Sequence, residues 1–537
     1  MKTARRVKAM DGVLTILIGL AILAGSILNG NAAEKPKSGG TFVVGLHADP
    51  NTLNPAISSD GQLLMVAPNI FSRLIYVNME GDYVGDLAEK WTVTKDNLRI
   101  RFDLRKGAKW HDGQPVTAED VKFSLEKLAR YHPRSIELKR ISEIKILSPV
   151  SLEVTFPTPS PTFFAFLDES GFIIPKHIYS TSEDITMHPS NSSPIGSGPF
   201  AFQEWKKSDH ITLVKNKNYY IPGQPFMDKV IYRSISSGAS RVMSLETGDI
   251  DYLASRDLPE TDVPRLRKNP NFVVTDKGTG SSSMNILVFN TRRKPWNDVR
   301  VRRAVAHAID RRVMVEKGTF GLAKPAYSPF SKGSWPWAYN PKVEEMYPSD
   351  LAKAATLLDE AGYGAGPDGV RIKSTVVLDR GDTRTMDITE VFREQLKKVG
   401  IEIVMQPMDK PTLADRVWMK ADFDLMSCPS SQGSDPAIGI ERIFVTAGIK
   451  PVPSVHNGNA YSNPEVDKLF LLARTTVDKK RRGQHYREVQ PILLRDLPVL
   501  PLTDTPKFAV FPKKVRGVNE RRFWASYYAP SDAWFSQ

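Results

Sequence analysis

Cysteine is nearly absent: the 537 residues contain one, Cys428. A single thiol excludes any internal disulfide and any Cys-x-x-Cys redox or zinc motif. It lies far from the N-terminus, so it is not a lipid-anchoring cysteine behind a leader. We read it as a small buried apolar residue rather than a nucleophile. Histidine is scarce too, nine residues without a cluster, which argues against a multi-histidine metal site. The Gly-x-Ser-x-Gly elbow, the His-Glu-x-x-His pair and the P-loop are all missing. Catalytic residues, a metal and a cofactor are therefore not expected. No five like charges follow one another, and Lys+Arg number 73 against 60 Asp+Glu. The net charge of +13 reads as an interleaved, solvated surface. Nucleic acid is not expected as a partner.

Long apolar runs are absent beyond the N-terminus. There, Lys2, Arg5, Arg6 and Lys8 precede an apolar stretch from Val13 to Leu28, and Gly30-Asn31-Ala32 follows with small residues. A stretch this short falls below the ~20 residues that span a bilayer. The order of positive, apolar and small residues predicts a signal peptide over 1–32, cleaved after Ala32, and export of a soluble chain. The leader carries a net +3, which leaves the remainder near +10. A chain of this length implies more than one domain.

Strand-like and helix-like segments alternate along the rest, the rhythm of an α/β protein. Leu98, Ile100, Phe102 and Leu104 alternate with Arg99, Arg101 and Asp103, which predicts a strand with one buried face. Thr117-Ala118-Glu119-Asp120 reads as a capped helix start, with Val121, Leu125 and Leu128 inward. His111-Asp112-Gly113 before it is a turn rather than a catalytic pair. A helix beginning near Asp298 turns Val301, Ala304, Val305, Ala308 and Ile309 inward and places Arg300, Arg302 and Arg303 on its wet face. Another from Asp350 has Leu351, Ala354, Ala355 and Leu358 inward. A third starts near Arg384 and carries Ile388, Val391, Phe392, Leu396 and Val399. Gly400 stops it before a strand in which Ile401, Ile403 and Met405 alternate.

Several motifs in fixed order carry a resemblance. They are Asp49-Pro50-Asn51-Thr52-Leu53-Asn54-Pro55, Leu87-Ala88-Glu89-Lys90-Trp91, and Lys109-Trp110-His111-Asp112-Gly113 running on to Val121. Gly196-Ser197-Gly198-Pro199-Phe200, Pro295-Trp296-Asn297-Asp298-Val299-Arg300 and Tyr461-Ser462-Asn463-Pro464 follow. Together they resemble the extracellular solute-binding proteins of ABC importers, family 5, the dipeptide, oligopeptide and nickel binders. The likeness implies a two-lobed α/β periplasmic binding protein fold with the ligand cleft between the lobes. Lobe one would hold 33–278 with an inserted subdomain near 90–195, lobe two 279–505, and 506–537 would return to lobe one. It further implies a periplasmic monomer, a peptide or peptide-like (opine-like) solute, and an inner-membrane permease with its ATPase as partners. A sensor or chaperone-type binding protein not coupled to uptake is the alternative, and an exported hydrolase the remote one. Unchanged uptake in a deletion strain would favour the sensor.

Under the same resemblance the ligand-binding residues are expected at His47, Asn285, Arg384, Trp418, Ser431, Gln432, Gly433 and Asp435. Arg384 heads a helix where a guanidinium fork suits a ligand carboxylate. Peptide-binding members place an aspartate four residues before the proline of Ser430-Ser431-Gln432-Gly433-Ser434-Asp435-Pro436, to pair with the peptide ammonium. Here that position is Gln432. A neutral amide accepts a hydrogen bond but does not offset a buried charge, which puts peptide specificity in question. Asp435 is the nearby substitute. His47 and His456 are single histidines that a metal-chelate ligand would use.

Overall fold

The computed structural model describes residues 36–78, 81–276, 281–449, 456–518, 521–522 and 530–536. The expected leader at 1–32 lies outside the described residues. No helix among them is long and apolar enough to cross a membrane.

The first lobe is organised by a four-stranded sheet. Strand β1 (Thr41–Leu46) begins it, and β2 (Phe200–Lys206), β3 (His210–Lys215) and β4 (Lys229–Ser234) follow after a long excursion. The order is β1-β4-β3-β2, with β1 parallel to β4 and the other pairs antiparallel. The excursion builds its own antiparallel sheet from Ala88–Val93, Arg99–Leu104, Ser151–Thr155 and Glu143–Ser148, in that spatial order. In Arg99–Leu104 the residues Ile100, Phe102 and Leu104 are buried while Arg99 and Arg101 are exposed, the expected period of two. The Asp120 carboxylate accepts from the Thr117 backbone N–H at 2.8 Å and from its hydroxyl at 2.9 Å, fixing the start of helix Ala118–Tyr131. His111-Asp112-Gly113 is a turn: Gly113 has φ +91° and donates to the Trp110 carbonyl. Helix α1 (Thr162–Ser170) ends this region.

The second lobe is a six-stranded mixed sheet. Its strands are β5 (Ser282–Phe289), β6 (Lys324–Pro325), β7 (Ile372–Asp379), β8 (Ile401–Met408), β9 (Leu425–Ser431) and β10 (Val499–Pro506), in the order β6-β10-β5-β9-β7-β8. Helix α2 (Thr383–Lys397) crosses from β7 to β8, which lie parallel, as a βαβ unit requires. Ile388, Phe392 and Leu396 of α2 are buried, and Gly400 takes φ +78° before β8. One sheet face packs Leu287, Phe289, Leu425 and Leu500 beneath α2. The other packs Met284, Ile286, Met426 and Cys428. Burial pushes the Cys428 thiol up to about 12, which keeps it neutral and inert. After β10 the chain returns, and Ala509–Pro512 pairs with Leu253–Ala254 and Phe272–Thr275 of the first lobe.

Two expectations about helix faces are corrected. Arg302 is buried, not on the wet face. Its guanidinium donates to the carbonyls of Trp296 and Asp496 at 2.6 Å each, and Arg303 donates to the Arg495 carbonyl at 2.7 Å. Asp496 ends helix α3 (Lys479–Asp496), whose last carbonyls lack intrahelical donors. Two cations at that end satisfy them and suit the helix dipole. Leu351 is 42% exposed because it opens its helix, and Leu357 fills the inward position instead.

Candidate functional site

Strands β7 and β9 are parallel, so their C-terminal ends open on the same edge of the sheet. In open α/β sheets ligands bind at that edge. The loop after β7 leads into α2, where Asp382 caps the helix. Its carboxylate accepts from the Thr385 backbone N–H at 3.0 Å and from the Thr385 hydroxyl at 2.8 Å. The Thr385 oxygen in turn accepts from Asn285 Nδ2 at 2.8 Å. This chain of bonds holds the first turn of α2 rigid and sends Arg384 outward, toward the first lobe.

Three carboxylates of the first lobe meet this edge. Glu260 pairs with the Arg384 guanidinium. Glu169, at the end of α1, accepts from the Ser434 backbone N–H at 3.2 Å and from its hydroxyl at 3.0 Å, and its other oxygen pairs with Arg134. Glu137 lies 3.5 Å from Arg474, which also pairs with Glu441. Gly433 makes the Ser434 contact possible. It has φ +66°, and a Cβ there would sit 3.2 Å from Gly439 Cα and 3.4 Å from Glu169 Oε2. Contacts of this kind join two surfaces that share no sheet.

Cations gather at the same place. Burial, and then the like charges of Arg256, Arg134 and Arg384, push the Lys507 ammonium well below its ordinary range. Burial also raises the Glu260 carboxyl, an effect that Arg384 partly offsets. Beneath them runs a polar row on the α2 face of the sheet. The register pairs Asn285 with Thr503, and Ser283 with both Thr505 and Ser431. Asn285 Oδ1, Thr503 Oγ1, Thr505 Oγ1 and Ser431 Oγ are buried atoms with no hydrogen-bond partner in the protein. Over nine-tenths of buried polar groups are bonded in native proteins. Four together, beside a cluster of cations, mark a surface suited to a polar ligand.

The structure brings Asn285, Arg384, Ser431 and Gly433 together. Gln432 adjoins them but is fully buried. Its Oε1 accepts from the Ser331 backbone N–H at 3.1 Å, and its own backbone N–H donates to the Ser282 carbonyl. Asp435 is engaged elsewhere: its two oxygens accept from Arg482 Nη1 and Nη2 at 2.6 Å each. His47 stands at the end of β1 with Nδ1 2.7 Å from Asp257 Oδ1. Trp418 lies apart from the cleft, 7% exposed in the second-lobe core, with its ring 5.3 Å from His456. Glu137, Glu169, Glu260, Arg134, Ser434 and Lys507 were not singled out from sequence. Only Ser434 carried a signal, as part of the loop already marked.

Known proteins agree with this architecture. The profile described as "Bacterial extracellular solute-binding proteins, family 5 Middle" matches residues 82–444. The oligopeptide-binding protein AppA of Bacillus subtilis (strain 168) is 30% identical, with 96% of each chain covered. Among solved structures, the chain is similar to the ABC transporter-associated periplasmic binding protein DppA from Helicobacter pylori in complex with the peptide STSA. The TM-score is 0.79 at 26% identity, covering 93% of this chain and 99% of that one. It is also similar to AgaA in complex with agropinic acid from A. tumefaciens R10, with a TM-score of 0.78 at 25% identity over 93% of this chain and 99% of that one. By both sequence and architecture, the chain belongs to the family 5 bacterial extracellular solute-binding proteins.

Proposed function

We propose that the chain is the periplasmic receptor of an ABC importer, closing over a peptide or peptide-like solute and presenting it to the inner-membrane permease and its ATPase. In this reading 1–32 is a cleaved leader. Lobe one comprises 33–278 with 506–537, lobe two comprises 279–505, and the receptor acts as a monomer without chemistry of its own. The observation that carries the reading is the meeting of Glu260, Glu169 and Glu137 of the first lobe with Arg384, Ser434 and Arg474 of the second, above the polar row of β5, β9 and β10. Open and closed forms interconvert by hinge motion, and a solute shifts them by binding the closed form more tightly. Arg384 and Lys507 receive the solute's carboxylate. Asn285, Thr503, Thr505 and Ser431 supply hydrogen bonds that a closed, water-poor cleft strengthens. Gln432, held by Ser331, orients the β9 loop rather than neutralising an ammonium.

The test is a thermal-shift panel of di- to nonapeptides, opines and sugars on the purified mature protein, with mass spectrometry of any ligand released on denaturation. A solute at 1,000 times its Kd adds about 4 kcal/mol of stability. Stabilisation by a peptide or an opine supports the reading. A panel in which no solute stabilises the protein, and no small molecule is released, overturns it.

A further inference from the structure

Helix Pro464–Thr475 of the second lobe packs along α3, and its inward positions are filled: Val466, Phe470 and Ala473 are buried in the core. At roughly 100° per residue, Lys468, Leu471, Leu472 and Thr475 lie on the opposite side. That side of a half-buried helix is ordinarily polar. Here Leu471 is 59% exposed and Leu472 37%, and Val477, in the turn that follows, is 46% exposed. Isolated apolar residues on a surface need no explanation, but a contiguous group marks a contact surface.

Cations frame this group. Asp478 caps α3 by accepting from the Arg481 backbone N–H at 2.8 Å, which sets Lys479, Lys480 and Arg481 in the first turn, all exposed. Positive charge is unfavourable at that end of a helix dipole, so the helix itself gives no reason for three cations there. Lys479 stands 5.7 Å from the Trp337 ring centre. Lys468, Lys480 and Arg481 make no ion pair among the described residues. The nearby acids are engaged or distant. Asp478 holds the cap, Asp467 accepts from the Thr446 backbone N–H at 2.8 Å, and Glu465 opens the helix about two turns before Leu472.

Exposed leucines bordered by long cationic side chains match the boundary of an anionic bilayer. The aliphatic groups enter the shallow apolar layer, while lysine and arginine stems extend their charged ends to the headgroup phosphates. The exposed apolar residues are all aliphatic, without the aromatic anchors that dominate protein interfaces. We propose that this face, the second half of helix Pro464–Thr475 with the first turn of α3, docks on an anionic lipid surface. Leu471, Leu472 and Val477 insert, and Lys468, Lys480 and Arg481 meet the phosphates.

The test is co-sedimentation of the purified mature protein with vesicles of equimolar phosphatidylglycerol and phosphatidylcholine, against vesicles of phosphatidylcholine alone. It needs no solute, so its outcome is independent of the receptor reading. Partition into the anionic vesicles is expected to be at least tenfold stronger and to fall as salt is added. A basic chain is drawn to anionic lipid by charge alone, so the deciding variant is Leu471→Ser with Leu472→Ser, which keeps every charge. It should lose at least fivefold of the binding. Lys480→Glu with Arg481→Glu should lose at least tenfold, roughly fivefold for each cation. Both pairs lie outside the core, and acids suit a helix start, so the circular dichroism spectrum should not change. Equal binding to both vesicles, or binding to neither, overturns the proposal. So does anionic binding that either pair of substitutions leaves unchanged, since another face would then carry it.

Discussion

The Asp435–Arg482 pair offers the sharpest test of how the β9 loop is held. Both side chains are 7% exposed, and the guanidinium meets the carboxylate as a fork at 2.6 Å on each arm. Arg482 also donates to the Ala473 carbonyl at 2.8 Å and to the Tyr486 hydroxyl at 3.0 Å, and its guanidinium stands 5.4 Å from the Trp337 ring centre. Burial works against its charge, but Asp435, together with Tyr486 and Tyr83, outweighs it and raises the guanidinium above its ordinary range. Asp435→Asn removes the negative charge while keeping a side chain able to cap the Ala437 N–H, now bonded at 3.0 Å. The loss is therefore mainly that of leaving Arg482 buried and uncompensated, about 3–5 kcal/mol. At roughly 2–4 °C per kcal/mol for a lobe of this size, the second-lobe transition should fall by roughly 6–20 °C in calorimetry. The double change Asp435→Leu with Arg482→Met removes both charges and should recover most of the loss, because buried pairs are often replaceable by apolar residues. A single variant within about 1 kcal/mol of wild type, or a double variant no better than the single, would refute the claim that charge compensation holds this loop.

Other outcomes follow from the same geometry. Arg384→Ala should weaken binding of any solute that stabilises the wild type by at least tenfold, and should raise the radius of gyration seen by solution scattering, since the Glu260 latch is lost; an unchanged affinity and radius would refute both roles. Burial first, offset in part by Arg474, pushes the Glu441 carboxyl up to about 8 from an ordinary 4.5. Between those values the native chain keeps a proton that the unfolded chain has released, so stability falls as pH rises, by at most ~1.4 kcal/mol per pH unit. Glu441→Gln should flatten that fall in urea midpoints measured at pH 5, 7 and 8.5, and parallel curves would count against it. Burial, then Arg134, pushes the His132 imidazole down to about 3 from 6.5. The unfolded chain then takes up a proton first, so stability falls as pH drops from 6.5 toward 3, and His132→Asn should make that acid limb shallower.

What the sequence made legible was local. Helix α2 could be bounded because its apolar residues recur at helical spacing from near Arg384, and Gly400, which takes a positive φ, stops it; the Asp382 cap emerged only in the structure. The sheet around it could not be ordered in the same way. Strand β5 is flanked by β9 and β10, which begin at Leu425 and Val499, and no local pattern names a partner so distant. The site divides along the same line. Arg384 was visible as a cation at a helix start, and Ser431 and Gly433 as members of a marked loop. Asp435 was read as free to meet a ligand, but an arginine from the next long helix takes both of its oxygens. Gln432 was read from its position alone, and its amide belongs to a serine 101 residues earlier in the chain.

The acids Glu137, Glu169 and Glu260 were missed for a deeper reason. In an open receptor each lobe's share of the cleft is ordinary wet, charged surface, and a sequence encodes it as such. In the proposed hinge-closing reading, burial, pairing and the perturbation of Glu260 and Lys507 arise when two such surfaces meet, and the meeting depends on the hinge rather than on either surface. A closing cleft is therefore the part of such a fold least readable from residue patterns, because its chemistry is a property of the pair of lobes.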